Sequence, residues 1–214
     1  MGSSAPLRRK VAQTIRMLYE IGYILDHEGN VSARVGDADR YFITPSQVPR
    51  GTIKAGDILL VNGKGEVLQG NRNPSVEMGM HLLIYSRRPD VRAVIHFHSF
   101  HATALACLHE VIPPILEELI PFLGDQIPTV RYAMAGTEEL AGNVAEALSE
   151  RNAVLLANHG ALVCGKDLDD AFHKARLLEK AAAIYILAKS LGEPKRLPDQ
   201  SIEIGRELFR TMLL

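Results

Sequence analysis

In the run Ala93-Val94-Ile95-His96-Phe97-His98, two histidines stand two positions apart at the end of an apolar stretch. Such a stretch reads as a buried strand, on which residues i and i+2 share a face with Cα atoms roughly 6.6 Å apart. Imidazoles so placed can reach one ion at about 2.0–2.1 Å. Ile95 and Phe97 then face the other way, into a core. A third histidine, His159, follows a second apolar run, Ala153-Val154-Leu155-Leu156-Ala157, and precedes Gly160, whose freedom allows a close turn. Taken singly, each of these histidines also reads as a core or turn residue. Together, His96, His98 and His159 make a three-histidine set with a fourth position open, the pattern of a catalytic rather than a structural zinc.

Glu77 is the candidate fourth ligand. It follows Asn73-Pro74-Ser75, where a helix is expected to begin, and a carboxylate there also suits the helix dipole. His81, four residues on, could instead pair with Glu77 in a helical metal motif, but no apolar strand delivers it. Two stretches have the make-up of an anion cradle. Gly29-Asn30-Val31-Ser32 joins a permissive glycine to short hydrogen-bonding side chains, and Thr44-Pro45-Ser46 does the same at a strand end. Ser75 adds a hydroxyl at the expected helix start. Turn formation explains any one of these alone. No P-loop or dinucleotide glycine pattern is present.

The elements that must hold these residues follow from periodicity. Leu7, Val11, Ile15, Leu18, Gly22 and Leu25 recur at helical spacing, which predicts a helix ending near residues 26–29. Residues 31–35 and 41–44 predict one hairpin. Residues 58–61 and 66–68 predict a second, turned at Asn62-Gly63. Helices are expected from about Ser75 to Arg88, over 100–109, from Thr137, from Asp167 to Leu191 and over 201–212. Strands are expected at 93–98, 127–132, 153–157 and 161–164. Hairpins dominate early and helices interrupt the later strands, so the expected fold is one α/β domain over residues 1–214. Its central sheet is mostly antiparallel and is flanked by helices.

The chain has 214 residues, 47% hydrophobic and 23% charged, with a formal net charge of −1. No basic surface announces nucleic acid or a membrane, so an anionic substrate needs a local site. No apolar run approaches the ~18 residues of a membrane span. Two cysteines, Cys107 and Cys164, form no metal or disulfide pattern. Met1-Gly2-Ser3-Ser4 leads into no apolar region, so residues 1–5 read as an appended or disordered start and the protein as cytoplasmic.

Several motifs occur in one order: Gly29-Asn30-Val31-Ser32, Ile43-Thr44-Pro45-Ser46, Pro74-Ser75-Val76-Glu77, Arg88-Pro89-Asp90, Ala93-Val94-Ile95-His96-Phe97-His98-Ser99, Gly136-Thr137-Glu138-Glu139-Leu140 and Leu156-Ala157-Asn158-His159-Gly160. Over about residues 8–190 the chain thereby resembles the class II aldolase/adducin family, closest to its L-fuculose-phosphate aldolase branch. The resemblance implies a single α/β domain, usually assembled as a homotetramer with sites between subunits. It implies one Zn2+ per chain, or another divalent ion in its place, held by Glu77, His96, His98 and His159. It implies a phosphate site at Gly29, Asn30, Ser46 and Ser75, and a small phosphorylated sugar as substrate. The expected reaction is retro-aldol cleavage of a ketose 1-phosphate to dihydroxyacetone phosphate and an aldehyde. Glu77 would serve as a catalytic acid/base. Related dehydratase, epimerase or decarboxylase chemistry uses the same metal set, and an adducin-like scaffold would lack it. Gln47 stands where the aldolases have glycine, and Val76 where a second phosphate-site serine is common. Glu117 stands where the family has a proton-donating tyrosine. Glu117 is therefore the expected second catalytic group, with its carboxyl kept protonated by partial burial against Ile115, Leu116 and Phe122.

Overall fold

A computed structural model describes residues 5–213. The elements in chain order are α1 (Ala5–Glu20), β1 (Asn30–Arg34), β2 (Arg40–Ile43), β3 (Leu59–Asn62), β4 (Val67–Gln69), α2 (Met78–Arg87), β5 (Ala93–Phe97), α3 (Phe100–Cys107), α4 (Leu119–Leu123), β6 (Thr129–Val130), α5 (Glu138–Ala147), β7 (Ala153–Leu156), β8 (Gly160–Gly165), α6 (Leu168–Leu191) and α7 (Asp199–Leu213). The strands form one eight-stranded sheet in the order β4-β3-β2-β1-β5-β8-β7-β6. Every pairing is antiparallel except β6 with β7. The expected α/β class and the mostly antiparallel sheet are both found.

The strand period of two divides the core. Val31, Ala33, Ile95, Phe97, Leu155, Ala161 and Val163 meet residues of α1, α3 and α6 on one face. Val94, Val154, Leu156, Leu162 and Cys164 meet α2 and α5 on the other. β5 lies at the centre and is buried along its whole length, which is why it reads as a continuous apolar run. Thr137 and Asp167 accept from the backbone N–H groups of Leu140 and Asp170, capping α5 and α6 where the sequence places those helix starts.

Several element boundaries differ from expectation, and three bear on the site and its supports. α1 stops at Glu20, because Gly22 adopts a left-handed φ of 75° and turns the chain. Leu25 keeps the apolar period but lies 64% exposed. α2 starts only at Met78, so Ser75 sits in the preceding turn and Glu77 occupies the N-cap position. The strand expected at 127–132 is only Thr129–Val130. Residues 1–4 of the segment read as an appended start lie outside the described residues, and Ala5 already opens α1.

Candidate metal centre

β5 delivers His96 at its penultimate position and His98 just past its end, both on the face opposite Ile95 and Phe97. β7 and β8 form a hairpin whose loop is Ala157-Asn158-His159, with Asn158 in the left-handed region at φ 56°. That loop carries His159 back over the end of β5. Gly160 has a role other than the expected turn: a Cβ there would lie 2.5 Å from the Phe97 carbonyl oxygen and 2.7 Å from the His98 ring. Its missing side chain is what lets β8 bring His159 against β5.

The three rings converge, with centroids 4.7, 4.7 and 5.0 Å apart. One ligating nitrogen from each of His96, His98 and His159 lies within 4.8 Å of the others. Glu77, arriving from the turn before α2, lies against two of these histidines. Its Oε2 is 3.2 Å from His96 Nε2 and its Oε1 is 3.6 Å from His159 Nε2. Donors bound tetrahedrally at 2.0–2.1 Å stand about 3.3 Å apart, and each carboxylate oxygen lies near that distance from one of the histidines. The His96 and His98 Nε2 atoms are closer, at 2.8 Å.

The tautomers suit a cation. His96 Nδ1–H donates to the Ala161 carbonyl at 2.9 Å, which leaves the Nε2 lone pair facing the cluster. Burial holds the His96 and His98 pKa values down to about 3, and their neighbouring imidazoles push the same way, so both rings are neutral at neutral pH. Glu77 Oε1 is buried and has no hydrogen-bond partner. An orphaned carboxylate oxygen facing three imidazoles fits a divalent ion, because a bound cation would satisfy all four groups at once.

The other Glu77 oxygen is held from behind by a buried hydrogen-bond relay. Asn30 Nδ2 donates to Oε2 at 2.7 Å. The Asn30 Oδ1 must then be the acceptor toward His81 Nε2–H at 2.5 Å. His81 Nδ1 accepts from Ser32 Oγ–H at 2.6 Å, and Ser32 Oγ accepts from the Tyr85 hydroxyl at 2.8 Å. His81 is fully buried, and that burial lowers its pKa to about 3. It is neutral, with the proton on Nε2. His81 is therefore not a ligand but the pivot of the relay. The sequence signal for this was a pair of polar lines: Glu77, His81 and Tyr85 at four-residue spacing, and Asn30 and Ser32 two apart on β1. The antiparallel register sets Asn30 opposite His96.

The expected phosphate residues lie close together. Pro45 and Pro74 form an isolated bridge that brings Ser46 beside the Ser75 turn, and the Ser46 N–H donates to the Asn73 carbonyl at 2.9 Å. Gly29 has a φ of 61°, and a Cβ on it would meet the His96 carbonyl at 2.8 Å. Asn30 is 3% exposed and both ends of its amide are committed to the relay. The Ser75 Oγ accepts the Glu77 N–H at 3.3 Å. Glu117 differs from expectation: it is exposed rather than partly buried, and it stands outside the histidine cluster of its own chain. Its neighbour Glu118 is paired with Lys180 at 2.5 Å, which lowers the Glu118 pKa.

Comparison with known proteins places these residues in context. The family model described as Class II Aldolase and Adducin N-terminal domain matches residues 9–186. A Bacillus thuringiensis serovar kurstaki protein named 5-deoxy-D-ribulose 1-phosphate aldolase is 38% identical over 175 residues, covering 82% of each chain. A Rhodospirillum rubrum protein named 5-methylthioribulose-1-phosphate/5-deoxyribulose-1-phosphate aldolase is 35% identical over 98% of this chain and 94% of its own. A solved structure titled L-fuculose 1-phosphate aldolase superposes with a TM-score of 0.92 at 39% identity, covering 98% of both chains.

Proposed function

The chain belongs to the class II aldolase and adducin family, and from that premise we propose that it is a zinc-dependent aldolase that cleaves a small ketose 1-phosphate to dihydroxyacetone phosphate and an aldehyde. The observation that carries the reading is the pairing of three converging histidines with the partnerless, buried Oε1 of Glu77. His96, His98, His159 and Glu77 would hold a divalent ion, which when bound would supply Lewis acidity toward the substrate's ketone end.

The chain's own groups do the rest. Cleavage moves one proton from the hydroxyl beside the breaking bond to the carbon that keeps the electron pair, and Glu77 makes the transfer to that carbon. Asn30 anchors Oε2 by its hydrogen bond, so Oε1, which has no hydrogen-bond partner, is the oxygen available to carry the proton. Gly29, Asn30, Ser46 and Ser75 receive the phosphate, with Asn30 contributing its main chain because its amide is committed.

At the other end, Ile24, Leu25, Phe100, Ala104 and Cys107, together with the polar Glu28 and Thr103, line a mostly apolar cavity of about 380 Å3 that reaches His98 and His159. Apolar walls beside the metal ligands suit an aldehyde ending in a methyl or thioether group more than a fully hydroxylated one. The names of the two curated relatives agree with this preference. Glu117 is exposed, and we assign it to the aldehyde end of a neighbouring subunit's site in a homotetramer. Phe100, Val76, Tyr132 and Met134, all at least 60% exposed, supply apolar surface for such contacts. No helix among the described residues is long and apolar enough to cross a membrane, and we place the enzyme in the cytoplasm.

A panel of ketose 1-phosphates scored for dihydroxyacetone phosphate release tests the reading. Release from 5-deoxyribulose 1-phosphate or fuculose 1-phosphate is expected. Turnover that yields only a dehydrated or decarboxylated product would contradict it.

A further inference from the structure

The groups proposed to receive the phosphate are all neutral, and a net charge of −1 supplies no attractive field. A cation nevertheless lies directly behind them. Arg50, 2% exposed, is wrapped by main-chain carbonyls of the two loops that carry Gly29 and Ser46. Its Nε donates to the Glu28 carbonyl at 2.9 Å. Nη2 donates to Gly29 at 2.8 Å and more weakly to His27 at 3.4 Å. Nη1 donates to Pro45 at 2.9 Å and Val48 at 3.3 Å.

Every one of these acceptors is neutral. Among the described residues the guanidinium forms no ion pair. Its burial lowers its pKa to about 10, which still leaves it charged at neutral pH. The other strongly buried arginine is built differently: Arg88 is gripped by both carboxylate oxygens of Asp90, at 2.8 and 2.6 Å. Arg72, which shares a surface cavity with Gln47, is neutralised by Asp57 at 2.7 Å.

A buried charge with no counter-charge is expensive, and neutral donors could join two loops without that cost. We propose that the missing counter-charge is the substrate's phosphate monoester, and that Arg50 is a positioning residue that shapes the cradle and charges it from behind without touching the ligand. Gly29 and Pro45 present their carbonyls inward to Arg50, so the guanidinium lies one peptide layer beneath the residues that meet the phosphate. At that depth its field is little screened by salt. The inference rests on the aldolase reading only for the nature of the ligand.

The test uses the zinc-loaded chain, inorganic phosphate as probe, and the variants Arg50→Met and Arg50→Lys. Phosphate affinity is read from competitive inhibition and from the rise in Tm on adding phosphate. KM is compared for a ketose 1-phosphate and for the same ketose without its phosphate. At a separation of about 8 Å, removing one unit charge from beside a dianion at an effective dielectric of about 20 is worth roughly a factor of 10³. Arg50→Met should weaken inorganic phosphate and raise KM for the ester by that factor, with a much smaller loss on the unphosphorylated ketose. Arg50→Lys should recover most of the phosphate affinity, because it keeps the charge although it cannot reach all the carbonyls. If Arg50→Lys is as impaired as Arg50→Met, or if both ketoses suffer equally, Arg50 merely joins the loops and the proposal is overturned. Should Arg50→Met fail to fold, Arg50→Lys decides: near-normal phosphate affinity at a lowered Tm supports the proposal, and lost affinity in a folded protein refutes it. Phosphate binding that depends on Arg50, in a chain that cleaves no ketose 1-phosphate, would sink the aldolase reading alone. Cleavage with phosphate affinity indifferent to Arg50 would sink this inference alone.

Discussion

Replacing His81 by Phe tests whether the buried relay sets the geometry of Glu77. The two side chains are similar in size, and position 81 is fully buried, so the main loss is of hydrogen bonds rather than packing. Asn30 Oδ1 and the Ser32 hydroxyl, both buried, lose their partner. Each orphaned group costs about 1–3 kcal/mol, partly recovered as Ser32 turns toward Tyr85, which gives roughly 2–5 kcal/mol in all. That is a large part of a typical stability of ~5–15 kcal/mol. The amide of Asn30 is also released to flip, and a flipped amide would aim its oxygen at Glu77 Oε2. Loss of an outer partner of a metal ligand typically lowers metal affinity or activity by about 10–100-fold. Tyr85→Phe removes only the far end of the relay and should cost about 0.5–1.5 kcal/mol with activity kept. Urea unfolding of metal-free protein, zinc titration and kcat measure the three quantities. A His81→Phe variant as stable as the parent, or one folded with unchanged zinc affinity and kcat, would refute the relay. So would a Tyr85→Phe variant as impaired as His81→Phe.

Acid should unfold the metal-free chain through its histidines. The folded-state pKa values of His81, His96 and His98 are lowered to about 3, below the unfolded value of 6.5. Between those limits the unfolded state binds more protons, so this stability is fully present above about pH 6.5 and is lost as pH falls toward 3. The slope is at most about 4 kcal/mol per pH unit for three groups. Urea midpoints from pH 7.5 to 4.5 measure it, and a flat profile would contradict neutral burial of these rings. Glu77→Gln should keep the Asn30 hydrogen bond and the fold but lower kcat by roughly 10²–10⁴, and wild-type turnover would remove Glu77 from the chemistry. Glu117→Gln should lower kcat by a similar ~10²–10⁴ with assembly intact, while Glu118→Gln, which only releases Lys180, should be nearly silent. Equal small effects at both positions would leave Glu117 without a role.

The histidine set was legible because strand geometry is rigid. Alternation along β5 fixes His96 and His98 on one face, and a glycine after an apolar run marks the loop that carries His159. The same period, applied to β1, β7 and β8, yields the sheet and its two core faces. The end of α1 was not legible from apolar spacing, because Leu25 continues the period while Gly22 has already turned the chain. Glu117 sits in a segment bracketed by prolines, and sequence cannot say which surface such a segment faces. The relay and Arg50 were hidden for another reason. The relay depends on partners about 50 residues distant, and Arg50 on Glu28 and Gly29 about 20 residues away as well as on nearby Pro45 and Val48, so strand register and loop packing bring them together. Arg50 also bonds to carbonyls alone, and main-chain acceptors leave no mark in side-chain identity.

The most direct measurement is dihydroxyacetone phosphate release by the purified chain, with metal content followed in parallel. The protein should hold about one zinc per chain, and turnover of a ketose 1-phosphate should stop on chelation and return on adding zinc back. A His96→Ala/His98→Ala variant should hold no zinc and release no dihydroxyacetone phosphate under any of these conditions. Turnover indifferent to chelation, or full zinc occupancy in that double variant, would contradict the assignment of the site.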